Sequence, residues 1–113
     1  MPRGFRLYLE DMAASAAKIM KYVGASSYED FVRDGKTYDA VIRNLEIIGE
    51  AARQVPEEVK ARYPAVEWRK VYLFRNVLAH EYFGISNELL WDIIKNRLPS
   101  LLREVEAILE REP

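Results

Sequence analysis

The reactive side chains of this 113-residue chain are concentrated in one short segment. Between Val71 and Phe83 the polar side chains besides Tyr72 and Tyr82 are Arg75, Asn76, His80 and Glu81. His80 is the only histidine of the chain. An imidazole titrates near neutral pH and can exchange a proton with a reacting hydroxyl. Arg75 offers a planar, permanently charged fork that suits a phosphodiester and its transition state. Asn76 and His80 are four residues apart and so share a helix face. RNA carries its own nucleophile, the 2′-hydroxyl, so a proton acceptor and a phosphate clamp suffice without a metal. DNA lacks that hydroxyl and is not expected as a substrate. The alternative role for His80 is structural, a hydrogen bond near a helix end.

Composition narrows the chemistry further. A single histidine cannot build a two-histidine metal site, and the helix neighbours Glu46 and Glu50 alone make a weak carboxylate site, so neither metal nor cofactor is expected. The absence of cysteine excludes disulfides, zinc-thiolate sites and thiol nucleophiles. The net charge of −1 gives no global argument for nucleic acid. Its distribution says more: from Arg53 to His80 six basic residues (Arg53, Lys60, Arg62, Arg69, Lys70, Arg75) face three acids (Glu57, Glu58, Glu67). That window carries +3 and the remainder −4, although scatter along solvated helix faces would give the same tally. The start, MPRGFRLYLEDM, has no apolar run behind it, unlike a signal peptide. No stretch approaches the roughly 18 apolar residues of a membrane span. The expectation is a soluble cytoplasmic protein of one domain, covering residues 1–113.

The elements that must position these groups are all helical. Leu9, Met12, Ala13, Ala16, Ile19, Met20 and Val23 follow the i, i+3, i+4, i+7 rule and predict a helix from about Phe5 to Val23, ended by Gly24. Ser26 and Ser27 before Tyr28-Glu29-Asp30 predict a short capped helix to about Asp34-Gly35. A second long helix is expected over Thr37 to Gln54, with Val41, Leu45, Ile48 and Ala52 inward and Arg43, Glu46, Glu50 and Arg53 outward. Gly49 lies on its apolar side, where a missing side chain lets a neighbour approach. Asn44 also lies there, suited to an interhelical hydrogen bond or to a supporting place in the cleft. Pro56 opens a short helix to about Arg62. Ser86 or Asn87 caps a later helix, and Pro99 is expected to divide it from a final amphipathic stretch. With no period-2 alternation, the fold class is all-α, an up-down helical bundle.

The third long helix, about Val66 to Phe83, is the unusual one. Trp68, Val71, Tyr72, Leu78, Ala79 and Tyr82 trace one stripe, while Leu73, Phe74, Val77 and Phe83 cover other faces. A helix apolar nearly all round is central or has a second interface. Arg75 takes the place in the stripe, seven after Trp68 and seven before Tyr82, where a bundle wants an aliphatic residue. Such an arginine must be paired, snorkelling or facing a cleft. On a regular helix Arg75 and His80 point about 140° apart. Either the last turn loosens or a second protomer completes the site, and the surplus of apolar faces favours the second.

Arg75, His80 and Tyr82 together resemble the R-x4-H-x-Y motif of HepT-like toxins of the HEPN superfamily, with a polar residue directly after the arginine. The surrounding RNVLAHEYFGI looks like that family's signature segment. The likeness extends to RLYLEDM, DAVIRNLEIIGEAAR, YPAVEWRKVY and the LP after Trp91. The resemblance implies a HEPN-like bundle paired as a homodimer, with both motif copies facing one cleft. It implies a metal-independent ribonuclease toxin of a type VII-like toxin–antitoxin system, with Arg75 and His80 catalytic and Asn76 supporting. It further implies a MntA-like nucleotidyltransferase antitoxin as partner, which adds AMP to the motif tyrosine, here Tyr82. Phosphates placed beside Arg75 would occupy the phosphate site and repel RNA. Tyr82 also fits plain core packing by its stripe position. Two other functions compete with the ribonuclease: a non-catalytic module binding a nucleotide or the nucleotidyltransferase, and a structural scaffold. An intact Arg75–His80 pair favours the enzyme, and a scaffold leaves Arg75 on the stripe unexplained.

Overall fold

The computed structural model describes residues 4–80 and 86–112, with side chains described for 4–74 and 86–112. The described residues form helices and no strand. Helix α1 runs Phe5–Val23, α2 Tyr28–Arg33, α3 Gly35–Gln54, α4 Glu57–Arg62 and α5 Trp68–His80. Helix α6 (Asn87–Asp92) passes through a π-helical turn (Ile93–Arg97) into α7 (Leu98–Arg111). The architecture is the all-α bundle expected: α1 packs on α3 and α7, and α3 packs on α5.

Local chemistry sets these boundaries. Gly24 ends α1 at φ +51, a conformation other residues adopt only with strain, and its N–H donates to the Met20 carbonyl at 2.9 Å. Ser27 caps α2, its Oγ accepting from the Asp30 N–H at 3.1 Å. Asp34 closes α2 and opens α3 at once. Its carboxylate accepts from the Thr37 N–H at 3.2 Å and from the Thr37 hydroxyl at 2.7 Å. These bonds hold its pKa below the ordinary Asp value and start α3 at Gly35, two residues before the expected Thr37.

The core follows the expected periodicity with one exception. Leu9, Met12, Ala16, Ile19 and Val23 of α1 meet Val41, Leu45, Ile48 and Ala52 of α3, with Val105 and Ile108 of α7 alongside. Gly49 is buried on the same side of α3. Met20, assigned to the inner stripe, is 38% exposed. Phe31 of α2 has no exposed surface and lies 5.4 Å, ring to ring, from both Tyr38 and Trp91. That contact fixes α2 and α6 over the same end of α3.

Pro99 does not divide the chain as expected. Proline lacks an N–H, and its ring collides with the carbonyl four residues back in a regular helix. Here the preceding turn widens: the Leu98 N–H donates to the Ile93 carbonyl, five residues back, and Pro99 enters in the first turn of α7. The looser turn relieves the clash, so the helix continues through the proline.

At the far end of α7, Glu112 ties three elements together. Its carboxylate accepts from Arg62 Nε at 3.0 Å, Arg62 Nη2 at 2.6 Å and Tyr63 Oη at 3.2 Å. Arg6 of α1 donates to the Leu109 carbonyl at 2.8 Å and also to the Glu112 carbonyl. The hydrogen bonds from Arg62 are the main cause holding the Glu112 carboxyl below its ordinary pKa. A depressed folded-state pKa gives stability above the unfolded value, lost as pH falls through the folded one. Glu112→Gln should therefore melt lower than wild type at neutral pH, and the two should converge in thermal scans at about pH 2. An equal gap at both pH values would show that the carboxylate charge contributes nothing.

Candidate active site

Helix α5 carries the motif, and its first turn is firmly held. Trp68 is 8% exposed, and its indole N–H donates to the Tyr63 carbonyl at 3.0 Å. That bond satisfies the polar edge of a buried ring and pins the turn between α4 and α5. Arg53, in the last turn of α3, lies 5.7 Å over the Tyr72 ring. The C-terminal end of α3 thus meets the N-terminal part of α5, and α5 runs back along α3.

The backbone is α-helical through His80, so Arg75, Asn76 and His80 stand on one helix. The side chains of Arg75, Asn76 and His80 lie outside the described part, and Tyr82 and Gly84 lie outside the described residues altogether. The helix does not loosen between Arg75 and His80, so these positions remain about 140° apart around its axis. Asn76 and His80 stand about 40° apart, and Tyr72 continues their side of the helix one turn earlier.

Two hollows flank α5 and α3. One, of about 510 Å³, lies between α3, α5 and the α6–α7 arm, with Leu45, Ile48, Val71, Phe74, Leu98 and Leu101 among its walls. Glu67 at its edge bonds Lys70 Nζ at 2.6 Å and lies 3.7 Å from Arg97. The hydrogen bond with Lys70, more than the charge of Arg97, lowers the Glu67 pKa. One oxygen of Glu104, which also lines this hollow, is buried without a hydrogen-bond partner. The other hollow, about 310 Å³, is a polar groove between α1 and α3 lined by Tyr8, Asp11, Arg43, Glu46, Glu50 and Gln54. Glu50 accepts from Gln54 at 3.2 Å and lies 3.6 Å from Arg53. Among the described residues no group of three or more His, Cys, Asp and Glu could hold a metal ion. No helix among them is long and apolar enough to cross a membrane.

Asn44 is buried, and its Nδ2 donates to the Ala40 carbonyl at 2.8 Å. This bond runs back one turn within α3 instead of crossing to another helix as expected.

The pattern of the family described as "Ribonuclease HepT-like" matches residues 12–108, a span that includes all of α5. The chain belongs to the HepT-like family. It is 40% identical over 108 residues to a "Probable ribonuclease HepT" of Thermococcus cleftensis, covering 96% of this chain and 98% of that one. It is 38% identical over 105 residues to a "Putative RNase" of Methanocaldococcus jannaschii, covering 93% and 87% of the two chains. A similarly named protein of Caldanaerobacter subterraneus is 36% identical over 107 residues, covering 95% and 96%. No solved structure matches the chain.

In this HepT-like protein the basic window divides by function. Lys60 pairs with Glu57 at 3.6 Å, Arg62 with Glu112 at 2.6 Å and Lys70 with Glu67 at 2.6 Å. Arg53 pairs with Glu50 at 3.6 Å but stays 57% exposed, and Arg69 lies on exposed surface of α5. Sequence reasoning counted their charge but missed the Arg53–Tyr72 contact, which joins residues far apart in the chain. The hollow of about 510 Å³ carried no sequence signal either, because it is walled by ordinary core residues.

Proposed function

We propose that this protein is a ribonuclease that cuts RNA without a metal, through Arg75 and His80, with Asn76 in support. The observation that carries the reading is membership of the HepT-like family across the stretch that holds Arg75, Asn76 and His80 on one unbroken helix. His80 exchanges the proton of the 2′-hydroxyl, and Arg75 binds the phosphate and stabilises its developing charge. Asn76 orients the phosphate or the imidazole. The attack of the 2′-oxygen on phosphorus expels the 5′-oxygen of the next nucleotide and leaves a 2′,3′-cyclic phosphate. Cleavage should persist in EDTA. Loss of a general base costs a factor of about 10² to 10⁴ in rate, so His80→Ala should nearly abolish cutting while the far-ultraviolet dichroism stays helical. Arg75→Lys keeps the charge but loses the fork and should also be impaired. Purified RNA incubated with wild type and His80→Ala decides the matter: equal cutting, or cutting only with added magnesium, makes the protein a binding module instead.

The site is proposed to be shared between two protomers. Leu73 of α5 is 42% exposed, and on the other side of α5 lies the apolar hollow, which Leu89 of α6 helps to line. Apolar surface on several sides of one helix favours a two-fold contact near it. A second α5 across that contact would bring its own motif copy to a common cleft, overcoming the 140° separation. Light scattering should give twice the 13.2 kDa chain mass, and Leu73→Glu should shift the protein towards the single-chain mass. A wild-type monomer at tens of micromolar removes the shared site.

Silencing is proposed to act through Tyr82, by AMP added from ATP by a MntA-like nucleotidyltransferase antitoxin in the cytoplasm. The added phosphates would compete with RNA for Arg75. Intact-mass measurement after incubation with such an enzyme and ATP should show AMP on wild type and none on Tyr82→Phe. Equal labelling of the phenylalanine variant would make Tyr82 a packing residue.

A further inference from the structure

We infer that Arg53, Arg69 and Tyr72 form a strip that binds single-stranded RNA and leads it along α5 towards His80. The inference rests on the ribonuclease reading and adds a substrate-binding region outside the motif.

The helix geometry defines the strip. Arg69, Tyr72, Asn76 and His80 fall within about 80° of one another around α5. Glu67, Lys70, Val71 and Phe74, which line the apolar hollow, stand on the opposite side. The eight steps from Tyr72 to His80 cover about 12 Å along the axis. Arg53 reaches this strip from α3, its guanidinium carbon 5.7 Å from the centre of the Tyr72 ring.

The charges of the strip stay open to solvent. Arg53 pairs with Glu50 at 3.6 Å yet keeps 57% of its side-chain surface exposed. Arg69 is exposed and forms no ion pair among the described residues. Arg62 and Lys70 of the same basic window are held more tightly, each 2.6 Å from a carboxylate. The half-buried Tyr72 holds the Arg53 guanidinium over its ring, and the outer side of that guanidinium is the platform offered to a base. Guanidinium groups that track a phosphate backbone beside an aromatic face make the usual platform for a single strand, on which every base can stack. Charge complementarity therefore selects RNA as the occupant. The groove on the α1 side, with Asp11, Glu46 and Glu50 against Arg43, has an excess of negative charge and disfavours the strand there.

The test separates binding from cutting. A labelled single-stranded RNA of a dozen nucleotides is titrated by fluorescence anisotropy at several salt concentrations. Arg53→Ala with Arg69→Ala should weaken binding roughly tenfold or more, since each arginine gives up a charged contact. The log–log salt slope should become shallower by about 1.4, the loss of two phosphate contacts on a single strand. Tyr72→Leu should weaken binding about fivefold or more, and Tyr72→Phe should restore it. A dinucleotide too short to reach the strip should be cut at the wild-type rate by the double-arginine variant, whereas KM for the long RNA rises. Unchanged affinity and salt slope in the double variant overturn the strip. A wild type that binds through Arg53 and Arg69 yet cuts nothing keeps the strip and removes the ribonuclease reading.

Discussion

The site depends on how α5 is gripped. A helix held on every side has no surface for substrate, and one held loosely cannot position reacting groups to a fraction of an ångström. Here the grip is concentrated in the first turns. Trp68 is buried and hydrogen-bonded to the Tyr63 carbonyl, and Val71 and Phe74 pack against the core that includes Leu45 and Ile48 of α3. Beyond these turns the helix continues through Arg75, Asn76 and His80 as an extension of a fixed base. Helical hydrogen bonding then carries the rigidity of the anchor forward, at 1.5 Å per residue.

The rest of the bundle keeps that anchor in place. Helix α3 is the shared wall, facing α1 on one side and α5 on another. Its inward residues are small or aliphatic, Val41, Leu45, Ile48, Gly49 and Ala52, which lets neighbours approach closely. The ends are fixed by polar contacts. Arg62 and Tyr63 converge on Glu112, so the short α4 that precedes α5 is joined to the end of α7. A disturbance at that carboxylate would reach Trp68 through the single turn that separates Tyr63 from α5.

Local chemistry was legible in the sequence where one residue type decides the conformation. Gly24 ends α1 where its periodicity predicted, and Ser27 and Ser86 cap α2 and α6 through their hydroxyls. The all-α class followed from apolar spacing alone. What escaped was decided by partners distant in sequence or by backbone adjustment. Asp34 advanced the start of α3 because its backbone N–H closes α2 while its carboxylate caps α3. Pro99 was absorbed because the π-helical turn moved the clashing carbonyl away, and nothing in the IIKNRLP segment announces that turn. Asn44 bonded within its own helix because the Ala40 carbonyl was the nearer acceptor. Of the candidate site, the residue types and their helix were legible, and the spacing alone carries the 140° separation. Tyr72 was placed on a core stripe, whereas its ring lies under Arg53.

That separation constrains any mechanism on this scaffold. An arginine and a histidine five positions apart on one regular helix stand about 140° apart and do not easily aim at the same phosphate, and α5 stays α-helical between them. A bend would also be costly, because it would break the backbone hydrogen bonds that transmit the grip from Trp68. The cheaper solution is to leave each helix straight and let two of them meet. Each helix then contributes one group from its near side, and the shared phosphate lies across the contact. In the proposed arrangement Leu73, about 20° from His80 around α5, would pack at the contact beside the reacting groups and leave the Arg69 edge of the helix open to the strand. The exposed apolar surface and the angular gap in the motif are one constraint, and the proposed second copy of the helix would resolve both.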